Sequence, residues 1–246
     1  MDFSILTQLK NQLDKHRPLP AAAVRNLKEV FRVEWTYNSN AIEGNTLSLM
    51  ETKIVLEEGL TIGGKKLREH LEVINHAEAI DYIESLIEQQ IDLDEKIIKD
   101  VHYLVLKGID NENAGRYRQI NVGISGSQHQ PPHFLAVSEQ MNDLLTWYHK
   151  QKDKLHPVEL AALFHFKLVY IHPFSDGNGR TSRLLMNFIL MSNGYPPAIV
   201  KAEAAKRIAY YQALETASIN QETTLFIQLI AECVEESVRR YLNAVE

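Results

Sequence analysis

The stretch that decides the fold is PVELAALFHFKLVYIHPFSDGNGRTSR, residues 157–183. Its first fifteen residues are apolar on nearly every helical face and begin with a proline, which is favoured at the first position of a helix. We therefore predict a core helix over 157–171. A polar, glycine-containing loop follows, and a second amphipathic helix is predicted over 178–193. The loop therefore connects two helices of the core.

Outward from this pair, helix-period segments alternate with short breaks at Gly, Pro or Asn, which predicts an all-α helical bundle. The exception is QINVGISGSQHQPP, residues 119–132, where short β-prone runs flank Ser125-Gly126-Ser127 and predict a small β-hairpin. The predicted helices cover about 3–15, 21–43, 48–59, 65–89, 93–107, 137–151, 157–171, 178–193, 201–217 and 223–243.

Composition limits the classes of function. The chain has 246 residues, 45% hydrophobic and 24% charged, which is typical of a globular protein with one main domain. A net charge of −6 argues against nucleic acid as a partner, since phosphate-backbone binding needs clustered Lys and Arg. The single Cys233 favours a reducing compartment, and no apolar run reaches the roughly 18 residues of a membrane span. We expect a cytoplasmic protein without membrane contact.

The loop between the two core helices has the features of an anion site. Gly177, Asn178 and Gly179 leave backbone N–H groups free to converge where the second helix begins, an arrangement that holds phosphate oxygens. Arg180 and Arg183 are three positions apart, so both lie on one face of the first turn. Two positive charges at a helix N-terminus are unfavourable unless a multiply charged anion, such as a nucleoside triphosphate, joins them.

Two further loop residues add catalytic groups. Asp176 places a carboxylate among cations, which suits a Mg²⁺ ion that bridges phosphate oxygens. His172 has an ordinary pKa of about 6.5 and is the candidate base. Singly, each feature also fits a structural histidine, a plain turn or a solvated pair of arginines. Together within twelve residues, they are the parts that transfer from a nucleoside triphosphate to a hydroxyl requires.

The same loop resembles a known family. HPFSDGNGR followed by Thr181, Ser182 and Arg183 matches the signature of Fic-domain proteins, His-Pro-Phe-x-Asp/Glu-Gly-Asn-Gly-Arg-x-x-Arg, at every specified position. GRYR at 115–118 and NGYPP at 193–197 extend the resemblance. It implies the Fic fold with its hairpin flap, divided into an N-terminal helical region, 1–92, and a Fic core domain, 93–246.

The resemblance implies a protein adenylyltransferase, which transfers AMP from ATP to a hydroxyl of a target protein. By that match His172 deprotonates the hydroxyl, and Asp176 binds magnesium. Asn178 and the amides of Gly177 and Gly179 contact the α-phosphate. Arg180 and Arg183 contact the β- and γ-phosphates, and Phe174 anchors the loop.

The resemblance also implies binding sites for the target and the base. The flap pairs with an extended target segment by strand addition, for which Val122, Gly123 and Ile124 are the candidate edge. Tyr210 and Tyr211 resemble tyrosines that border the adenine pocket. The asparagine expected for the base falls at Ser218, with Asn220 two positions later, and this departure leaves the strictness of ATP preference open.

An inhibitory motif is implied before the core. Ser39-Asn40-Ala41-Ile42-Glu43-Gly44 matches the pattern Ser/Thr-x-x-x-Glu-Gly/Asn that ends the inhibitory helix, here about 21–44, of class II Fic proteins. The glutamate of that motif contacts the second signature arginine, so the resemblance predicts that Glu43 occupies Arg183 and blocks the γ-phosphate. The simpler explanation of Ser39, Glu43 and Gly44 is an ordinary helix that ends at a glycine.

Three other functions stay open from the sequence. The same site could hydrolyse AMP from a modified protein, with Glu43 orienting water and His172 protonating the leaving hydroxyl. A nucleotide-sensing module without turnover is the second, and a phosphotransferase is a lesser third. The segment 48–100 has apolar spacing that suits either the core or the face of a homodimer.

Overall fold

The computed structural model describes residues 1–19 and 21–245. Within these residues it contains ten α-helices, one 3₁₀ turn and no β-strand. The ten helices correspond to the ten predicted segments, although α9 begins and ends about three residues later than predicted. They are α1 Ser4–Lys15, α2 Ala21–Ile42, α3 Leu49–Glu58, α4 Leu67–Glu88, α5 Glu95–Leu106, α6 Val137–Gln151, α7 Pro157–Ile171, α8 Asn178–Ser192, α9 Ala204–Asn220 and α10 Thr224–Val245.

Helices α7 and α8 form the centre of the bundle. Pro157 occupies the first turn of α7, and the His156 side chain accepts a hydrogen bond from the N–H of Val158. The helix ends at His172, whose φ of 51° lies in the left-handed region and turns the chain out of the helix. Helix α8 is buried along most of its length, including the polar side chains of its first two turns.

The remaining helices surround this pair. Helices α4, α5, α6 and α10 pack against α7 or α8, and α2 packs against α4 and α10. One continuous hydrophobic cluster includes residues from Phe3 in the N-terminal segment to Leu242 in α10. The C-terminal end of α2 is thereby brought beside the N-terminal end of α8, where the signature loop lies.

The predicted β-hairpin at 119–132 is not formed. The turn is where we expected it, with the N–H of Ser127 donating to the Ile124 carbonyl, but the described residues on its two sides form no ladder. Instead, the Arg118 guanidinium donates to the carbonyls of Ile120 and Pro132, at 2.9 and 2.5 Å. A side chain therefore bridges the two arms, and the segment is a loop.

Candidate active site

The loop at 172–179 is held by hydrogen bonds within it and by packing against His102 of α5. The Asn178 side chain accepts from the N–H of Phe174 at 3.0 Å and donates to its carbonyl at 2.9 Å. The Phe174 ring is fully buried and stacks on the ring of His102, with centroids 3.6 Å apart. The Asn178 amide thus closes the loop, while its backbone N–H lies in the first turn of α8, where the predicted phosphate contact would be.

His102 also fixes the loop backbone. Its Nδ1 accepts from the N–H of Gly115, so its Nε2 carries the proton, which it donates to the Asp176 carbonyl at 2.9 Å. Burial lowers its pKa to about 4, which keeps this neutral tautomer at neutral pH. The sequence prediction missed His102, because only its position beneath the loop shows its role.

His172 is the candidate base, and its surroundings keep it unprotonated. Burial is the main cause that lowers the pKa of its imidazole to about 4. Its backbone carbonyl accepts from Arg118 Nε at 2.8 Å, while the Arg118 N–H donates to the carbonyl of Pro173. Arg118, in the GRYR motif, therefore joins the backbone of the candidate base to both arms of the 119–132 loop.

All three nitrogens of the Arg183 guanidinium donate hydrogen bonds. Its Nη2 donates to Glu43 Oε1 and to the Ser39 carbonyl, each at 2.8 Å, and its Nε donates to Ser39 Oγ at 3.0 Å. The Nη1 donates to the hydroxyl of Tyr210 at 3.2 Å. With a side chain only 3% exposed, Arg183 is a buried cation, and Glu43 is the carboxylate that it contacts. The structure thus brings together Glu43 and Arg183, the pair that the resemblance implies, and Ser39 of the same motif also contacts Arg183.

The Glu43 carboxylate lies against the N-terminus of α8. A Cβ added at Gly179 would come within 2.3 Å of Glu43 Oε1, so only a glycine permits this approach. Helix α8 has no side-chain cap, and the first N–H groups of a helix have no partner within it. Glu43 is therefore an anion at the position where the sequence predicts that phosphate oxygens bind. Gly44, with φ of 96°, turns the chain away immediately afterwards.

Four charged side chains form a second group beside this one. Asp176 Oδ2 accepts from Arg68 Nη2 at 2.6 Å, and its Oδ1 accepts from the Gly177 N–H at 2.6 Å. Glu72 Oε1 lies 3.1 Å from Arg68 Nε and 3.4 Å from Arg180 Nη1. Arg180 Nη2 is 3.5 Å from Asp176 Oδ1, which closes the group. Arg68 and Glu72, both on α4, were not predicted.

The residues present fit magnesium only together with a phosphate ligand. No group of three or more His, Cys, Asp or Glu side chains in the described part of the chain is arranged to hold a metal. Mg²⁺ is commonly bound by one or two carboxylates, with water and substrate phosphates at the other positions. Asp176 beside an anion site meets that requirement.

Arg180 retains unused donors. Its side chain is 3% exposed, and its Nε and Nη1 have no hydrogen-bond partner among the residues that the structure describes. Nη1 has only the 3.4 Å ion contact with Glu72, and Nε has no partner within the described chain. A buried guanidinium normally satisfies its donors, so unused ones at the N-terminus of a helix indicate an anion site.

The predicted base-binding and target-binding residues occupy different environments. The Tyr210 ring is 1% exposed, and its hydroxyl lies between Arg183 and His165, so this ring has no free face for adenine. Tyr211 is 41% exposed and donates its hydroxyl to the Ile42 carbonyl. Ser218 is half-buried, while Asn220 is exposed at the end of α9.

In the 119–132 loop, Val122 and Ile124 are half-buried and Gly123 is exposed. Glu215 of α9 holds the tip of this loop by accepting from the Ser127 hydroxyl and from the N–H of Gln128.

Comparison with known proteins gives consistent results. A family model described as Fic/DOC family matches residues 92–190. The chain is 40% identical to a protein of Nematostella vectensis named "Protein adenylyltransferase Fic", over 98% of this chain and 56% of that protein. It is 38% identical to a protein of the same name from Aedes aegypti, over 98% of this chain and 48% of that one. The chain thus spans about half the length of the curated relatives it matches.

Two solved structures are similar along nearly the whole chain. A fragment of Fic-1 from C. elegans has a TM-score of 0.87 and 35% identity, covering 97% of this chain and 71% of that one. A Fic-domain-containing signaling protein from Bacteroides thetaiotaomicron has a TM-score of 0.88 and 29% identity, covering 98% of each chain.

Proposed function

Because the chain belongs to the Fic/DOC family, we propose that it is a protein adenylyltransferase whose site is held inactive by Glu43. The relatives named "Protein adenylyltransferase Fic" support AMP transfer to proteins as the reaction. ATP is the proposed donor, since AMP transfer requires an activated AMP and the site offers an anion position with two arginines. The N-terminal region, 1–92, carries the inhibitory helix, and 93–246 is the proposed catalytic core.

In the proposed reaction, the target hydroxyl attacks the α-phosphorus of ATP and pyrophosphate leaves from the opposite side. His172 takes the hydroxyl proton, which requires the neutral imidazole that burial favours. The N–H groups at the start of α8 hold the α-phosphate oxygens, and Arg180 and Arg183 hold the β- and γ-phosphates. Bound Mg²⁺, held by Asp176 and the phosphates, would neutralise charge that develops on the leaving pyrophosphate.

The position of Glu43 carries the proposal of autoinhibition. Its carboxylate occupies both the N-terminus of α8 and Arg183, so a triphosphate that needs the same groups must displace it. Without Arg183, the γ-phosphate is unsupported, and the α-phosphate cannot be held in line with the attacking hydroxyl.

The test is Glu43→Gly, assayed by transfer of label from ATP labelled at the α-phosphate to the protein itself or to proteins of a lysate. We expect transfer to rise at least about tenfold, which corresponds to a barrier lowered by about 1.4 kcal/mol. Arg183→Ala should not raise transfer, and adding Glu43→Gly to Arg183→Ala should gain nothing.

Glu58→Gly is the matched control, since it removes an exposed glutamate at the end of α3. Equal labelling by wild type and Glu43→Gly would contradict the autoinhibition. Loss of all labelling in Glu43→Gly, with nucleotide binding retained, would favour a binding module.

Hydrolysis of AMP from a modified protein is the second candidate, and one observation favours it. Only Oε1 of Glu43 contacts Arg183, and Oε2 makes no hydrogen bond to any residue that the structure describes. The Glu43 side chain is 34% exposed, so Oε2 can orient a water molecule. Incubating wild type and Glu43→Gly with AMP-modified target separates the reactions, because release of AMP by wild type alone indicates the hydrolase.

The target protein is proposed to add a strand at Val122, Gly123 and Ile124. Support comes from the open backbone there: the N–H and C=O groups of Val122 and Gly123 make no backbone hydrogen bond within the described chain. Such groups are a template for main-chain pairing with an extended segment.

We also propose that the chain forms a homodimer through the segment 48–100. No described helix is long and apolar enough to cross a bilayer.

A further inference from the structure

We infer that Arg68 sets the affinity of the site for a divalent cation, because its guanidinium and the cation compete for the same carboxylate oxygen of Asp176. The inference rests on the proposed function, in which a nucleotide binds together with Mg²⁺. It concerns a residue of α4, outside the signature loop and outside the inhibitory motif.

The contact that carries the inference is short and specific. Arg68 Nη2 lies 2.6 Å from Asp176 Oδ2. The other oxygen, Oδ1, is already used by the N–H of Gly177 at 2.6 Å, and Arg180 lies 3.5 Å from it. Among the described residues Arg68 is the only side chain that contacts Oδ2, so a cation that binds this oxygen meets the Arg68 guanidinium.

The exposure of Arg68 allows its contact with Asp176 to break and form again. Its side chain is 54% exposed, so moving it away from Asp176 does not disrupt the core. Its Nε remains attached to Glu72, which is only 14% exposed and also accepts from the Asn45 amide at 2.9 Å. Glu72 thus gives the Arg68 guanidinium a second carboxylate partner when a cation displaces it from Asp176.

The sign of the effect follows from charge. A guanidinium and a metal ion placed at the same carboxylate oxygen repel each other, so removing the guanidinium favours the metal. Exposed ion pairs are weak, so we expect a two- to fivefold gain in metal affinity, which corresponds to roughly 0.4–1 kcal/mol. A residue that instead held the triphosphate would give the opposite sign, because its loss weakens binding of the magnesium nucleotide.

The test measures metal binding directly. Mn²⁺ is titrated into the full chain in the Glu43→Gly background with a saturating non-hydrolysable ATP analogue, and free Mn²⁺ is followed by electron paramagnetic resonance. Arg68→Met removes the charge and keeps the apolar stem, and Arg68→Lys keeps the charge. Asp176→Asn defines the background. Lys53→Met is the matched control, since Lys53 is a similarly exposed cation paired with Glu57 on α3.

We expect Arg68→Met to lower the Kd for Mn²⁺ two- to fivefold, with Arg68→Lys within twofold of the parent. Affinity for the analogue in EDTA should change by less than twofold, which a general structural defect would not produce. An unchanged or higher Kd in Arg68→Met, or an equal gain in Lys53→Met, overturns the inference while the proposed function stands. If no variant binds the analogue, both are overturned.

Discussion

His172 is the residue on which the proposed chemistry depends, and its protonation state is set by burial. An exposed histidine is half protonated at about pH 6.5, but the pKa of His172 is lowered to about 4. The base is therefore in its active form throughout the neutral range.

This predicts the pH profile of AMP transfer by Glu43→Gly. The logarithm of kcat/KM should not decrease as the pH is lowered through 6.5. The pKa of His172 is about 4, so its imidazole becomes protonated only near pH 4. Rates measured from pH 5.5 to 8 with a fixed target protein provide the check. A limb with an apparent pKa close to 6.5 would show that the ring is solvated during the reaction.

The contacts of Arg183 show which partners of a single residue could be predicted from the sequence and which could not. The sequence pattern led to Glu43 as its partner, because a short motif before the core resembles a known inhibitory pattern. It did not lead to the Tyr210 hydroxyl, which we expected beside adenine. A tyrosine in an amphipathic helix shows no sequence signal for whether its ring borders a pocket or its hydroxyl meets a buried arginine.

At the scale of elements, the C-terminal end of α2 is clamped by three helices. Helix α8 contacts it through Arg183, and α9 through the Tyr211 hydroxyl on the Ile42 carbonyl. On the α4 side, the Asn45 amide donates to the Glu69 carbonyl at 3.0 Å and to Glu72. Glu43 therefore reaches Arg183 from a helix end that is fixed on several sides.

The clamp predicts an intermediate phenotype for Asn45→Ala. The change removes two hydrogen bonds to α4 and the one that Asn45 Oδ1 accepts from the N–H of Leu47, each worth roughly 0.5–1.5 kcal/mol net. This loss should loosen the end of α2 and raise AMP transfer, but less than Glu43→Gly does. The control is Asn193→Ala, which removes a hydrogen bond from the side-chain amide to the Ile189 carbonyl at the far end of α8. A rise in Asn193→Ala equal to that in Asn45→Ala would mean that general destabilisation, not the clamp, releases Glu43.

The helices could be predicted from the sequence, but the conformation of the 119–132 segment could not, for one physical reason. A helix satisfies its own backbone, so local periodicity and a cap such as Ser48 before α3 are enough to predict it. The 119–132 loop has the composition of a hairpin, but its arms are bridged by Arg118 and its tip by Glu215. Those side chains lie outside the segment, and no local pattern reveals them.

At the scale of the whole molecule, burial strongly lowers the pKa of four histidines and favours their neutral forms in the folded chain. Burial lowers the pKa of His102 and His172 to about 4, and that of His76 and His165 well below 6.5. The unfolded chain binds these protons at about pH 6.5. Between these values the unfolded state binds more protons, so stability is complete above pH 6.5 and falls as the pH decreases toward 4.

We therefore expect the free energy of unfolding to decrease steeply below pH 6.5. One pKa unit corresponds to about 1.4 kcal/mol, so His102 and His172 should each contribute a loss of about 3 kcal/mol by pH 4. Urea unfolding at pH 7.5, 6, 5 and 4.5 measures this. His102→Gln should flatten the dependence, even though its stability at pH 7.5 is lower. A midpoint that is constant from pH 7.5 to 4.5 would contradict the assignment of neutral buried rings.

The candidate site depends on contacts between distant parts of the chain, which limited its prediction. The signature loop was evident because its chemistry lies within twelve consecutive residues. Arg68 and Glu72 are about a hundred positions earlier and carry no motif, and they join the site only because α4 packs across α8. A charged pair on an amphipathic helix is normally solvated, so its sequence gives no reason to assign it to a site.

Because Glu43 is covalently part of the chain that holds Arg183, it competes with any diffusible ligand at a fixed effective concentration. A nucleotide that needs Arg183 binds only the fraction of molecules in which Glu43 is away, and its apparent Kd rises by the inverse of that fraction. With Arg183 free in about one molecule in ten, the apparent Kd rises about tenfold. The strength of one ion pair then sets the nucleotide concentration at which the protein responds, and a change that leaves the catalytic loop untouched can retune that threshold.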